Sequence, residues 1–290
     1  MVLAAGLGRR LRPLTVHWPK PALPVLGRPL IEYTMALLRR AGVREVVVNL
    51  HHQPDSIKRI LSGPAGESFR IHYSHEAEIL GTAGGLKRAG SWLGEEPFLV
   101  INGDTIVDVD LRAIVEWHRK AKAKATLLLR PRPLGSAYTV ITVGERGRIL
   151  SLGGEDLASP TYMFAGVWVL DPEALARLCA DRIGGLEKEL LPELMREGSA
   201  FGYIEDAPWF ELGTPRHYLG ACLDMARHGV HQELWRASAV RPPRGSSPGA
   251  LVVSGTGTII DSHACFHGES VLGACCRLRR GCTVPRSVIW

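Results

Sequence analysis

Short apolar runs alternate with amphipathic stretches along the first 225 residues of the chain. Val2–Ala5 is apolar throughout and predicts a strand, whereas residues 31–40 repeat their apolar side chains at helical spacing. The alternation continues with a strand over 45–50, a helix over 56–61, a strand over 69–74, a helix over 84–89 and a strand over 97–102. A helix over 111–122 and strands over 126–130 and 138–143 follow. Phe98-Leu99-Val100-Ile101 lacks a polar member, the mark of a strand covered on both faces. This order predicts an α/β fold: a Rossmann-like, mostly parallel sheet flanked by helices. Ligands of such sheets bind beyond the carboxyl ends of the strands.

The pattern changes near residue 240. Arg241 to Gly249 is rich in Pro, Gly and Ser and reads as a linker. Beyond it Ile260, Phe266, Leu272, Leu278 and Val284 recur every six residues, and small residues (Ala264, Ser270, Cys276, Cys282) stand two places before them. Asp261 and Gly273 follow at turn-prone positions. Such a period resembles the hexapeptide repeats of a left-handed parallel β-helix. The expected organisation is an α/β domain that carries the chemistry over 1–228, a linker over 229–250 and a short β-helix over 251–290. Left-handed β-helices often host acyl transfer, but this one has no long inserted loop bearing a base histidine. His263 and His267 fall within the repeats as solvent-facing turn residues. The appendage is instead expected to join copies of the chain into a homo-oligomer by covering an apolar prism face or edge.

With 290 residues, the chain is long enough for one large domain and a small appendage; its net charge is +6 and its sequence pI about 9.1. Much of the positive charge lies near the N-terminal turn described below and the rest is dispersed, which argues against nucleic acid as a partner. A run from His118 to Lys124 reads as a solvated helix end. No stretch reaches the ~20 apolar residues of a membrane helix. The first apolar run is too short for a signal peptide, so a cytoplasmic location with no membrane partner is expected. The six cysteines show no Cys-x-x-Cys spacing, so neither a disulfide framework nor a zinc site is expected. His51 and His52 are adjacent at a strand end and point to opposite faces.

Chemistry concentrates where the first strand ends. Gly6 and Gly8 let the backbone approach a ligand closely and turn its N–H groups on an anion. Arg9, Arg10, Arg12 and Lys20 bring positive charge to a polyphosphate. Leu3, Ala5, Gly6, Gly8 and Arg9 are thus candidate contacts to a nucleotide, and Arg12 and Lys20 candidate catalytic cations. A dinucleotide fingerprint would need a third glycine near position 11, which is Leu11; a Walker A loop would need Gly-Lys-Ser/Thr, which is absent. Asn102-Gly103-Asp104 closes the strand over 97–102. A carboxylate at such a strand tip suits a Mg²⁺ ion bridging phosphates, and equally a turn aspartate capping the next segment.

The stretch from Gly6 to Thr15, with Pro19-Lys20-Pro21 behind it, resembles the opening signature of the sugar-1-phosphate nucleotidyltransferases (NDP-sugar pyrophosphorylases). That signature reads Gly-x-Gly-x-Arg-x-Arg-Pro-Leu-Thr before Pro-Lys-Pro, and Arg9 stands where the family more often has Thr or Ser. The resemblance implies Mg²⁺ held by Asp104 and by a late second carboxylate. The matching stretch Pro208 to Pro215 puts Glu211 where the family has Asp. Residues 74–85 are implied to form the base-reading loop, with Gly81 and Thr82 in its glycine-rich turn. Glu76 stands where thymidylyl- and uridylyl-type members carry Gln. A carboxylate only accepts hydrogen bonds, so it suits guanine, whose N1–H and N2–H₂ lie side by side. Uracil and thymine offer one N3–H flanked by acceptors; plain surface charge is the other reading of Glu76. Tyr162 to Leu170 resembles the family's sugar-facing strand, with Gly166 leaving room for a pyranose. Glu187 and Lys188 fall where many members hold sugar hydroxyls and phosphate. The family's Glu-Lys-Pro tripeptide is missing, and Leu152-Gly153-Gly154-Glu155 stands in its place.

The activity implied is transfer of a nucleotidyl group from a nucleoside triphosphate, GTP first, to a sugar 1-phosphate, with pyrophosphate leaving. In texture the chain is similar to the mannose-1-phosphate guanylyltransferases and to the N-acetylmuramate-1-phosphate uridylyltransferases. A non-catalytic relative that binds nucleotide sugar and regulates a partner is a further reading, on the strength of Glu211.

Overall fold

The apolar runs become strands of one sheet. In the computed structural model, which describes residues 1–154, 160–179, 183–235 and 237–290, they are β1 (Val2–Leu3), β2 (Glu45–Leu50), β3 (Arg70–His75), β4 (Phe98–Asn102), β5 (Ala125–Pro131), β6 (Ile141–Val143), β7 (Ile149–Leu152), β8 (Thr161–Leu170) and β9 (Ala200–Ile204). The nine strands follow the order β7-β6-β8-β4-β1-β2-β3, with β5 paired to β8 and β9 to β5. β1, β2, β3 and β4 pair in parallel, as does β9 with β5. Their crossovers hold α1 (Leu30–Arg40), α2 (Pro54–Leu61) and α3 (Gly81–Arg88). β8 runs antiparallel to β4, β5 and β6, and β7 antiparallel to β6. The 3₁₀ turn Glu145–Gly147 is too short to carry a crossover, so β6 and β7 form a hairpin.

By its internal contacts the chain divides into two units, one of Met1–Leu7 and Thr34–Trp209, the other of Gly8–Tyr33 and Phe210–Trp290. The sheet belongs to the first unit. Val100, Leu127, Leu129 and Trp168 meet Leu86, Leu186 and Leu191 in its core, which is why β4 and β5 carry continuous apolar runs. Of the stretch Leu152 to Glu155, Glu155 lies outside the described residues.

Helix α4 (Leu111–Ala121) starts where Asp110 accepts the Arg112 N–H at 2.9 Å and ends at Lys122, which takes a left-handed φ of 50°. The basic run at its end is not wholly solvated as expected. His118 is buried and its Nδ1 lies 2.8 Å from Thr126 Oγ1, because position 118 falls on the face that packs on the sheet. Burial pulls its pKa down to about 4 from 6.5, so the imidazole is neutral in the fold. A histidine that charges more readily when unfolded makes stability fall with acid. The contribution is whole above pH ~6.5, shrinks as pH drops, and is gone below ~4, a loss of the order of 3 kcal/mol. Thermal unfolding of His118→Gln should show a flatter decline than wild type across that window; parallel curves would refute the assignment.

In the second unit, strands β10 (Ala237–Val240), β11 (Val252–Gly255), β12 (Ile259–Ile260), β13 (Cys265–Leu272), β14 (Arg277–Leu278) and β15 (Thr283–Ile289) fill the C-terminal stretch. β11 with β13, β12 with β14 and β13 with β15 are parallel pairs, in which Val252 faces Ser270, Ile259 faces Arg277 and Cys265 faces Thr283. Each of these partners stands eighteen residues on, three times the six-residue period. Phe266, Leu272, Leu278 and Val284 are buried together with Val252 and Ala264. β10, inside the stretch expected as linker, pairs antiparallel with β11. Helix α5 (Pro215–His228) joins this region through Arg227, whose guanidinium binds Glu269; Glu269 also meets Arg286 at 3.2 Å. Among the described residues no helix is long and apolar enough to cross a membrane.

Candidate active site

Four parallel strands of the first unit end around one cavity of about 210 Å³. The chain leaving β1 supplies Ala5 and Gly6, β2 supplies Asn49 one residue before its end, Glu76 follows β3, and Asp104 follows β4. This is the carboxyl end of the parallel strands, where doubly wound sheets bind ligands. Leu3, Ala5, Gly6, Glu76, Gly81, Thr82 and Asp104, all singled out from the sequence, line it together.

Each wall has a local cause. A methyl group on Gly6 would meet nothing within 4 Å, so this glycine leaves open space rather than avoiding a neighbour. Gly103 is different: its N–H donates to Leu3 O at 2.9 Å, and a Cβ would stand 2.7 Å from that oxygen. Only glycine lets the turn before Asp104 press so closely on β1. The opposite wall is the loop between β3 and α3. Gly81 has a φ of 73°, and a Cβ there would lie 2.3 Å from Gly184 O. Gly184 N–H donates to Leu80 O, Ala83 N–H to Gly184 O, and Leu186 N–H to Thr82 Oγ1. The loop is thereby clamped by residues 184–186.

Glu76 is 1% exposed, which sets aside the reading of plain surface charge. Its Oε1 accepts from Asn49 Nδ2 at 2.8 Å and its Oε2 from Leu80 N at 3.0 Å. Asn49, which the sequence reading passed over, also accepts the Ala4 N–H through Oδ1 at 2.7 Å. The available signal was a polar residue at the end of the apolar run Val46-Val47-Val48.

The other sequence candidates are not gathered in this cavity. Gly166 sits where the pairing of β8 with β5 shifts register, with a φ of 90°; a Cβ would lie 2.6 Å from Thr105 Oγ1, so the protein itself fills that space. Glu187 and Lys188 are exposed on the one-turn helix Leu186–Glu189.

In the second unit Gly8 takes a left-handed φ of 59° while Thr15 Oγ1 donates to its carbonyl at 2.8 Å. A Cβ at Gly8 would come within 2.9 Å of Thr15 Cγ2 and 3.3 Å of Lys20 Cβ. Arg9, Arg10 and Arg12 are exposed around a single 3₁₀ turn, whereas Lys20 is only 6% exposed. The Glu211 side chain is 15% exposed and pairs with Arg10 at 3.4 Å and His217 at 3.5 Å. Among the described residues no three His, Cys, Asp or Glu side chains cluster to hold a metal. Asp104 nonetheless fits a hard cation of the kind that takes one or two carboxylates and completes its shell with water and substrate phosphates.

Residues 1–228 match the nucleotidyl transferase family. A mannose-1-phosphate guanylyltransferase of Mycobacterium tuberculosis is 28% identical over 308 residues, covering 99% of this chain and 82% of that protein. A UTP–glucose-1-phosphate uridylyltransferase of Synechocystis is 29% identical over 320 residues, covering 100% of this chain and 82% of its own. The crystal structure of HddC from Yersinia pseudotuberculosis shares the fold, with a TM-score of 0.66 at 23% identity over 77% of this chain and 97% of that one. With the family matched over residues 1–228 and relatives aligned over nearly all its length, the chain belongs to the nucleotidyl transferase family, as a sugar-1-phosphate nucleotidyltransferase.

Proposed function

We propose that the enzyme transfers a guanylyl group from GTP to a sugar 1-phosphate. The observation that carries the choice of base is the Glu76 carboxylate in the cavity wall. Each of its oxygens already accepts one hydrogen bond and keeps capacity for another, a demand that guanine's paired N–H donors meet and uracil's single one does not. The guanylyltransferase among the relatives supports the same reading, and the uridylyltransferase among them makes UTP the competing donor.

The sugar 1-phosphate oxygen attacks the α-phosphorus in line, and the bond from that phosphorus to the pyrophosphate oxygen breaks. The nucleophile is an anion at neutral pH, so no general base is needed. Catalysis is then positioning and charge neutralisation. Backbone N–H groups after Gly6, with Arg9 and Arg12, hold the leaving phosphates, and Lys20 meets the charge that grows on the α-phosphoryl oxygens. A divalent cation, Mg²⁺ in this proposal, supplies further neutralisation when bound. Asp104 holds it. Glu211 is the other carboxylate assigned to it, besides its pairs with Arg10 and His217. Glu187 and Lys188 are assigned to the sugar phosphate, whereas Gly166, packed on Thr105, is not.

We also assign residues 251–290 to a short left-handed β-helix that joins copies of the chain, after a catalytic domain over 1–228 and a connecting stretch over 229–250. The eighteen-residue pairing supports the β-helix, and nucleotide substrates suit a cytoplasmic location.

Pyrophosphate release with Mg²⁺ tests the activity, with GTP, UTP, dTTP, CTP and ATP each offered mannose, glucose, N-acetylglucosamine and N-acetylmuramic acid 1-phosphates. GTP should exceed every other triphosphate at least about tenfold in kcat/KM, the worth of one hydrogen-bond mismatch. UTP in the lead would overturn the choice of base. Silence across all pairs, with nucleotide still bound, would favour a regulatory role.

A further inference from the structure

The cavity holds a hydrogen-bonded chain in which Asn49 has none of the roles above. β1 ends at Leu3, so the buried Ala4 N–H has left the ladder and takes Asn49 Oδ1 instead. Asn49 stands in register with Leu3 on one side and Ser74 on the other. Its Nδ2 reaches Glu76 Oε1, and Glu76 Oε2 reaches Leu80 N, on the loop that ends in Gly81. One amide group therefore spans from the phosphate turn to the base-side loop. Helix α3 is shaped around the pair: a Cβ on Gly85 would lie 2.6 Å from Glu76 Oε1 and 3.0 Å from Asn49 Nδ2. Only one orientation of the amide satisfies both neighbours, because Ala4 brings a donor and Glu76 an acceptor.

We propose that Asn49 is a positioning residue for the nucleoside triphosphate, coupling the Ala4–Gly6 turn to the Glu76–Gly81 loop so that phosphate and base are gripped in fixed relation. The inference rests on the nucleotidyl transfer reading of this cavity. Because the chain is directional, it can be reversed. Asn49→Asp keeps the acceptor for Ala4 but sets a carboxylate against a carboxylate. Glu76→Gln sets an amide N–H against either Asn49 Nδ2 or the Leu80 N–H. The double variant N49D/E76Q satisfies every bond again. The carboxylate now at position 49 accepts from Ala4 and from the amide now at position 76, whose oxygen accepts from Leu80. Its net charge equals that of wild type.

The test is a double-mutant cycle read as kcat/KM for GTP and KM for the sugar 1-phosphate, with thermal unfolding of each variant. Each single variant should lose ten- to a hundredfold in kcat/KM for GTP, the cost of leaving a buried charge-assisted bond unmade, with KM for the sugar 1-phosphate little changed. N49D/E76Q should recover far above the additive expectation, to about E76Q's loss of base recognition alone, roughly tenfold below wild type. A double variant no better than additive overturns the proposal. So do losses shared equally by both substrates and matched by lowered melting temperature, which would make the pair merely structural. Asn49→Ala removes both bonds without adding charge and serves if N49D does not fold. Should wild type release no pyrophosphate, the reading of the activity fails separately; the same cycle followed as GTP affinity by calorimetry still decides for or against Asn49.

Discussion

Lys20→Ala should lower kcat by about a hundred- to a thousandfold while KM for the sugar 1-phosphate shifts only severalfold. Lys20 is almost wholly withdrawn from water, at the start of the 3₁₀ turn Lys20–Ala22 and behind Pro19. A charge in such surroundings acts through a low effective dielectric, so in the proposed role its attraction to the α-phosphoryl oxygens would be large. That attraction grows as the oxygens gain charge in the transition state, and an interaction stronger there than in the ground state appears in kcat. Lys20→Arg should not restore turnover. The lysine stem passes the Gly8 turn, and a planar fork presents its donors differently from a compact ammonium. Stopped-flow or coupled pyrophosphate assays check this, with melting temperatures to verify folding. Equal loss in kcat and in sugar phosphate binding would remove Lys20 from its assigned role.

Asp104→Asn should cut turnover by a similar hundredfold or more, and should weaken binding of Mn²⁺ used as a spectroscopic probe in the presence of a non-hydrolysable GTP analogue. The isostere keeps the size of the side chain and removes the charge that a hard cation requires. The tight seat of Gly103 against Leu3 O holds the backbone, so the variant should fold as wild type does. Unchanged Mn²⁺ affinity would strip Asp104 of the metal role and leave it a turn residue. Glu211→Ala separates two readings in the same assay. A metal ligand would lose Mn²⁺ affinity with turnover, whereas a partner of Arg10 and His217 alone would leave affinity intact and cost less than about 1 kcal/mol of stability.

Where local pattern determined the outcome, the sequence was enough. The apolar runs of β2 and β4, the spacing in α1 and the six-residue period behind Phe266 and Leu272 each reflect burial that a side chain meets within its own element. Two glycine-rich turns and a strand-end aspartate were legible because close backbone approach and a carboxylate at a strand tip leave marks in residue type. What could not be read depended on partners distant along the chain. Asn49 and Glu76 are twenty-seven residues apart, and nothing local says that their side chains meet. Gly166 was legible as a special position but not for its cause, since Thr105 lies on another strand. His118 looked like part of a charged helix end because a run of bases hides the one position that faces the sheet. The antiparallel course of β8 follows from which strands its neighbours leave open, which no single segment encodes.

The pairing of Val252 with Ser270, Ile259 with Arg277 and Cys265 with Thr283 gives the C-terminal segment something like a reading frame. Inserting or excising eighteen residues would keep these pairings in step, while a change of one or two would turn Phe266, Leu272 and their successors away from the interior they now fill. In the β-helix proposed for this segment, contacts would run mainly between adjacent coils, so a whole coil could be gained or lost at modest cost to the rest. On that proposal the segment could change length by whole coils while the sheet of the first unit, and the cavity at its strand ends, keep their own register.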